Sequence, residues 1–259
     1  MTTRSIDLNC DVGESFGAFT IGDDAAVLPL ITSANIGCGF HGGDPLVMHA
    51  TMSSVIANGG NIGAHPSQYD IWGFGRRMIV GESPLDIAKT VIYQVGAAKG
   101  MATSLGARLA HMKLHGTLDS LAFKDADVAT AIAEAVASVD PSLALFVMPG
   151  AQLEGAGKVA GLRVCRELYA DRAYSDDGNL LSRKLEGAIL HDAEAVADRA
   201  LSILERGVIT SAGGRELPAE GIESIAVHGD TPEALAMLKT LRARLLEDGY
   251  TIAPIAHTE

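Results

Sequence analysis

The sequence predicts an α/β fold: a single closed β/α barrel of seven or eight mostly parallel strands over residues 1–259. Three observations carry that expectation. Short apolar runs alternate with helix-like segments along the chain, the pattern of βα units joined by right-handed crossovers. The 259 residues match one barrel of about 250. No glycine-rich dinucleotide fingerprint follows the first strand, which disfavours the open doubly wound sheet.

The first run, residues 5–11, alternates with period two. Asp7, Asn9 and Asp11 fall on one face and Ile6, Leu8 and Cys10 on the other. Residues 31–38 and 61–65 read as the next two strands. Residues 84–102 then read as a helix, with Pro84 at its start and Ile87, Val91, Val95 and Ala98 on one face. A fourth strand, 108–115, puts His111, Lys113 and His115 on one side and Met112 and Leu114 on the other. An Ala-rich helix at 127–138 precedes strands at 143–148 and 163–168. A short strand at 188–190, a helix at 193–205 and a strand at 224–228 follow. Thr231-Pro232-Glu233 opens the last helix, with Thr231 or Asp230 as its cap.

At 47% hydrophobic and 20% charged, the chain can bury a large core, and this content is compatible with an apolar interface, a homo-oligomeric one included. A net charge of −12 argues against nucleic acid, which calls for clustered Lys and Arg. No run reaches the roughly 20 apolar residues of a membrane span, and the start, MTTRSIDLNCD, lacks a secretory apolar segment. A cytoplasmic protein with no membrane partner is expected. Cys10, Cys38 and Cys165 are widely spaced with no C-x-x-C, so they read as small buried hydrophobes.

In a barrel the outer strand faces lie under helices, so the polar faces point inward and the strand C-termini build the mouth. Asp11, His65, Lys113, His115 and His228 then converge on one rim, with His41 in the Gly-rich stretch after the second strand. Asp and His there can act as acid and base around a carbonyl, and Lys113 can stabilise an oxyanion. His111 and His115 stand about 13 Å apart on a strand and cannot share one ion. No compact metal motif occurs, so no structural metal is expected; a metal held by Asp11, His65 and His115 stays open. Gly73-Phe74-Gly75-Arg76-Arg77 offers two cations for carboxylate or phosphate oxygens. No P-loop is present; Gly155-Ala156-Gly157-Lys158 only approaches one. His49 and His257 are left out of the site.

Seven stretches, in order, resemble the 5-oxoprolinase A-subunit family, also called LamB/YcsF. They are Ile6-Asp7-Leu8-Asn9-Cys10-Asp11-Val12-Gly13-Glu14, Ser33 through Asp44, Gly63-Ala64-His65-Pro66, Gly73 through Arg77, His111 through Gly116, Ala170-Asp171-Arg172-Ala173-Tyr174 and Val227 through Pro232. The resemblance implies a barrel of the glycoside hydrolase/deacetylase type and ATP-dependent opening of 5-oxo-L-proline to L-glutamate. It also implies ATP with Mg2+ as cofactor and companion subunits B and C. Carried onto this chain, Asp11, His65, Lys113 and His115 are the catalytic candidates. Asn9, His41, Arg76, Arg77, Arg172 and His228 are the candidates for binding a small lactam. The family usually has Tyr-Asn where this chain has Asp119-Ser120, and Gly-Tyr-Pro where it has Ser67-Gln68-Tyr69, both at the expected mouth. A related lactam, hydantoin or carbamoyl substrate therefore enters the reading. Two alternatives stand beside it: a metal-dependent amidase or deacetylase on a related cyclic amide, and a non-catalytic subunit of a lactam-hydrolase complex.

Overall fold

The computed structural model describes residues 4–256. Strand β1 (Arg4–Val12) leads through α1 (Asp24–Val27) to β2 (Ser33–Gly37), then α2 (Pro45–Ala57) and β3 (Asn61–His65). Helix α3 (Pro84–Ser104), β4 (Leu109–Lys113), α4 (Gly116–Lys124), α5 (Ala126–Val139) and β5 (Ala144–Val147) follow. The chain continues through α6 (Gln152–Val159), β6 (Arg163–Tyr169), α7 (Ala193–Arg206) and the strands β7 (Val208–Thr210) and β8 (Glu216–Pro218). It ends with β9 (Ser224–Val227), α8 (Ala234–Glu247) and β10 (Tyr250–Ile252).

Strands β1 to β6 pair in sequence, all in parallel, and β9 lies between β6 and β1, closing a seven-stranded barrel. β10 adds to β1 only at Arg4–Ile6, below the closure. Outward residues Ile6, Leu8, Cys10 and Val12 are buried under the helices. Helix α3 shows why this packing forms. Ser83 caps its first turn, and Ile87, Val91, Val95, Ala98 and Ala102 make one buried stripe at three- and four-residue spacing. All three cysteines are buried and free. Among the described residues no helix is long and apolar enough to cross a membrane.

Inside the bore, polar side chains satisfy one another. Asn9 donates from Nδ2 to Glu167 Oε1 at 2.7 Å and Ser224 Oγ at 2.8 Å. Its Oδ1 accepts from Asn35 at 2.7 Å and Lys113 at 3.2 Å, which exhausts an amide's capacity. The expected substrate-binding role of Asn9 is thereby corrected, because no group is left for a ligand. His111 stacks on Phe146 with ring centroids 4.2 Å apart and reaches Asn35 Oδ1 at 2.8 Å. A Cβ on Gly63 would fall inside the His111 ring, which accounts for glycine there.

Several expected elements differ. Residues 188–190 form only an isolated bridge, Ile189 with Arg172, and the β7–β8 hairpin and β10 were not legible. Gly155 through Lys158 lie within α6. The last helix begins at Ala234, capped by neither Thr231 nor Asp230, because the Asp230 carboxylate is taken by Arg76. His257 lies outside the described residues.

Asp7 lies at the base of the bore, where its carboxyl accepts from Ser33 at 2.6 Å, Thr32 at 2.7 Å and Ser224. Burial raises its pKa to about 6, against the lowering effect of those hydroxyls. The native state thus holds this proton more tightly than the unfolded chain. Its stabilisation is complete below the unfolded pKa near 3.8 and is lost as pH rises through about 6. The loss is on the order of 3 kcal/mol. Urea midpoints of wild type and Asp7→Asn measured at pH 4 and pH 8 are expected to diverge. Wild type should fall relative to the variant at the higher pH; a constant difference would refute the buried proton.

Candidate active site and metal centre

Asp11, Glu14, His41, His65 and His115 sit at or just beyond strand C-termini. Asp11 is the next-to-last residue of β1, and Glu14 follows it after Gly13, whose φ of +64° turns the chain back over the bore. His41 lies in the loop after β2, and His65 ends β3. His115 is two residues past β4 and starts α4 as its N-cap, so it is not a strand residue as expected. Gly75, at φ +64°, packs against it; a Cβ there would lie 2.6 Å from His115 Cδ2.

Glu14, His41, His65 and His115 are all buried, and one ligand atom from each lies within 4.8 Å of the others. Their outer partners set the tautomers. His65 Nδ1 faces the Lys113 carbonyl at 2.8 Å, and His115 Nε2 faces the Phe74 carbonyl at 2.8 Å. A carbonyl only accepts, so both nitrogens carry protons. Ser67 Oγ donates to Gln68 O at 2.9 Å and therefore accepts from His41 Nδ1, also at 2.9 Å. Gln94 of α3 clamps the Ser67 backbone from both sides, at 3.0 and 2.8 Å.

The inward nitrogens then face one another and Glu14. His115 Nδ1 meets His65 Nε2 at 3.0 Å, and His41 Nε2 meets Glu14 Oε1 at 2.9 Å. Burial, followed by the neighbouring imidazoles, holds His41 and His115 well below the usual histidine range, so both rings are neutral. Burial, then the Asp11 and Asp230 charges, raises Glu14 well above the usual carboxyl range. One proton on Glu14 relieves a single contact. Four converging acceptors, three with their far side anchored, fit a divalent cation of the borderline type that takes nitrogen and oxygen, such as zinc.

That cluster corrects three expectations. An ATP-hydrolysing enzyme that binds nucleotide with Mg2+ is not what the mouth is built for, because converging lone pairs repel phosphate oxygens and attract a cation. The absence of a metal site is likewise overturned. The alternative set of Asp11, His65 and His115 is replaced by Glu14, His41, His65 and His115. Asp11 stands just outside, 3.5 Å from His65 Nε2.

Asp11, His65, His115, Arg76, Arg172 and His228 line one cavity of about 360 Å³ over the bore. Burial works against the Asp11 carboxylate, but His65 and Lys113 outweigh it and hold Asp11 well below the usual range. Lys113 lies beneath the cavity, 3.2 Å from both Asp11 and Glu167 and over the Tyr169 ring. His228 Nδ1 is gripped by both Asp171 oxygens, at 2.9 and 3.0 Å. Arg76 donates to Asp230 at 2.7 Å. Arg77 is not brought in: its guanidinium forks onto Asp70, away from the cavity.

Sequence reasoning missed Glu14, Glu167, Asp171, Arg183 and Asp230. Glu167 shares the inward face of β6 with Cys165 and Tyr169, so alternation carried a usable signal. Glu14 lies past a turn, where alternation ends.

Residues 6–259 match the LamB/YcsF family. The chain belongs to that family. A 5-oxoprolinase A-subunit of Rhodopseudomonas palustris (strain ATCC BAA-98 / CGA009) is 45% identical over 253 residues, covering 98% of this chain and 99% of that protein. One from Gluconobacter oxydans (strain 621H) is 45% identical over 256 residues, covering 99% and 98%. The "Lactam Utilization Protein" of Thermus thermophilus superposes with a TM-score of 0.89 at 37% identity, over 97% of this chain and 100% of that one. The catalytic domain of a peptidoglycan N-acetylglucosamine deacetylase from Eubacterium rectale ATCC 33656 shares the fold, with a TM-score of 0.52 at 11% identity over 98% and 89%.

Zinc at one hundred times its Kd should stabilise this LamB/YcsF chain by about 2.7 kcal/mol, a rise in melting midpoint of roughly 5–10 °C at this size. His65→Ala and His41→Ala should each abolish the rise. A wild-type midpoint indifferent to zinc would remove the metal centre.

Proposed function

We propose that the chain is a metal-dependent hydrolase of the C–N bond in a cyclic amide, working as one component of a larger assembly. The observation that carries this reading is the set of four lone-pair donors at the mouth, beside an ionised Asp11 and an Asp171-supported His228 in one cavity. The names of the relatives, lactam utilisation and the A-subunit of 5-oxoprolinase, favour a lactam and companion subunits of the B and C type.

Glu14, His41, His65 and His115 would hold the cation. When bound, it supplies Lewis acidity toward the amide carbonyl and toward water. Asp11, ionised and fixed by Lys113 and Asn35 at 3.2 and 2.9 Å, accepts the proton of the attacking water. As the oxygen adds to the carbonyl carbon and the ring C–N bond breaks, the leaving nitrogen needs a proton. His228, its other nitrogen held by Asp171, gives it. Glu167 shares Lys113 with Asp11 and thus keeps the lysine at the floor of the cavity. The buried wall excludes bulk water from around these charges.

Ring opening of five- and six-membered cyclic amides is followed by NMR with the chain and its companion subunits. Chelation is expected to stop turnover and zinc to restore it. His228→Asn and Asp11→Asn should each lower kcat by about 10²–10⁴-fold with zinc still bound. Undiminished turnover by metal-free protein would sink the proposal.

A further inference from the structure

The cavity wall carries a carboxyl group that the proposed chemistry does not use. Asp119 lies in the first turn of α4, four residues on from His115, and both line the cavity. About one helical turn therefore separates it from a ring of the four-donor cluster. Asp119 is 9% exposed. A first-turn carboxylate that served only the α4 dipole would need no burial.

The partners of that carboxyl are few. Tyr169 Oη donates to Asp119 Oδ2 at 3.3 Å, while Oδ1 makes no hydrogen bond among the described residues. Lys113 Nζ sits over the same tyrosine, 4.5 Å from the ring centroid, and the His228 ring lies beside it with centroids 5.3 Å apart. The free acceptor and the proposed proton donor thus rest against one side chain. Burial, then the Glu167 charge, raises the Asp119 pKa to about 7, while Lys113 and the Tyr169 hydroxyl act to lower it and Asp11 adds to the repulsion. Three carboxyl groups around one lysine leave this part of the cavity short of donors. It attracts an N–H and repels a carbonyl oxygen.

We propose that Asp119 accepts the N–H of the scissile ring amide and thereby orients the leaving nitrogen. The inference deepens the hydrolase reading and rests on it. The amide carbonyl lies toward the histidine cluster, and Asp119 Oδ1 holds the N–H in the amide plane. The nitrogen lone pair then stands out of that plane, open to the proton from His228. As that proton arrives the nitrogen becomes cationic, and the C–N electron pair leaves with it. The hydrogen bond to Asp119 therefore strengthens along the reaction, where it lowers the barrier.

The chain, incubated with zinc, is titrated calorimetrically with 5-oxoproline and with its carbocyclic analogue, a ketone that has CH2 in place of the ring N–H. Metal content and melting midpoint are measured on the same samples. Wild type should bind the lactam about tenfold tighter than the ketone, as one hydrogen bond to a charged acceptor allows. Asp119→Ala should bring the two within about twofold by weakening the lactam alone. Asp119→Asn, whose amide oxygen can still accept, should keep part of the preference. Lactam turnover with the companion subunits should fall further in Asp119→Ala than lactam affinity does. Equal binding of the two ligands by wild type, no binding of 5-oxoproline, or an unaltered ratio in either folded variant would each overturn the contact. An unaltered ratio beside zinc-dependent turnover leaves the hydrolase reading standing. A ratio lost on substitution, in a protein that takes up no metal, sinks the hydrolase reading and keeps the N–H contact.

Discussion

Three imidazoles at the barrel mouth are each tied back through one ring nitrogen, and everything above the bore follows from that tether. Lys113 O, Phe74 O and Ser67 Oγ each take a ring proton, so the remaining nitrogens all turn inward toward Glu14. With Glu14 among them, the centre collects electron pairs in a buried space where they cannot be hydrated. Unpaired acceptors in such a place are costly, and a cation relieves all of them at once. The outer anchors come from the end of β4 and, for Phe74 and Ser67, from the loop after β3, where α3 clamps the serine. Helix α3 thereby reaches the chemistry through Gln94.

The same demand for partners organises the bore below. Asp7, Asn9, Asn35, Lys113, His111 and Glu167 fill the interior that an apolar core occupies in many barrels, and each is matched by a neighbouring strand. Register carries the matching. Asn9 faces Ser33 across β2, and Glu167 faces Ser224 across β9; a slip of one residue would turn every one of these groups outward. Lys113 is the junction, because it balances Glu167 in the interior and Asp11 at the cavity floor. The acid and the metal ligands thus rest on one interlocked polar column, which is a reason to expect the mouth to be rigid.

On the far wall the arrangement is the opposite: the guanidinium groups of Arg76, Arg172 and Arg183 stand near the Asp230 and Asp171 carboxylates. The cavity therefore has a nucleophile-rich side and a cationic side, with His228 and Asp171 between them. Arg77, the neighbour of Arg76, shows how narrow the margin is. Asp70 captures it on the outside of the loop, and a cation one residue along contributes nothing to the cavity.

Much of this was legible in the chain. Period-two alternation in β1 assigned Asp7, Asn9 and Asp11 to the inside, and the run from His111 to Lys113 did the same for β4, because a strand buried on its outer face allows polar groups only inward. The strand-end positions of His65 and His228 placed them at the mouth for the same reason. Local sequence could not show which polar groups meet. Glu14 and His41 lie on loops whose direction depends on positive-φ glycines and on packing against other loops, so no periodicity reports them. His115 looked like a strand residue and is a helix cap. The metal centre draws on loops and ends from four strands, and its ligands have no fixed spacing. The tautomers that demand a cation exist only once distant carbonyls fix them. The sequence by itself determined the barrel and the inward polar faces, since these follow from alternation and burial along each strand. Tertiary structure alone decided the four-donor cluster and the arginine-lined wall of the cavity, because both are properties of groups brought together from segments far apart in the chain.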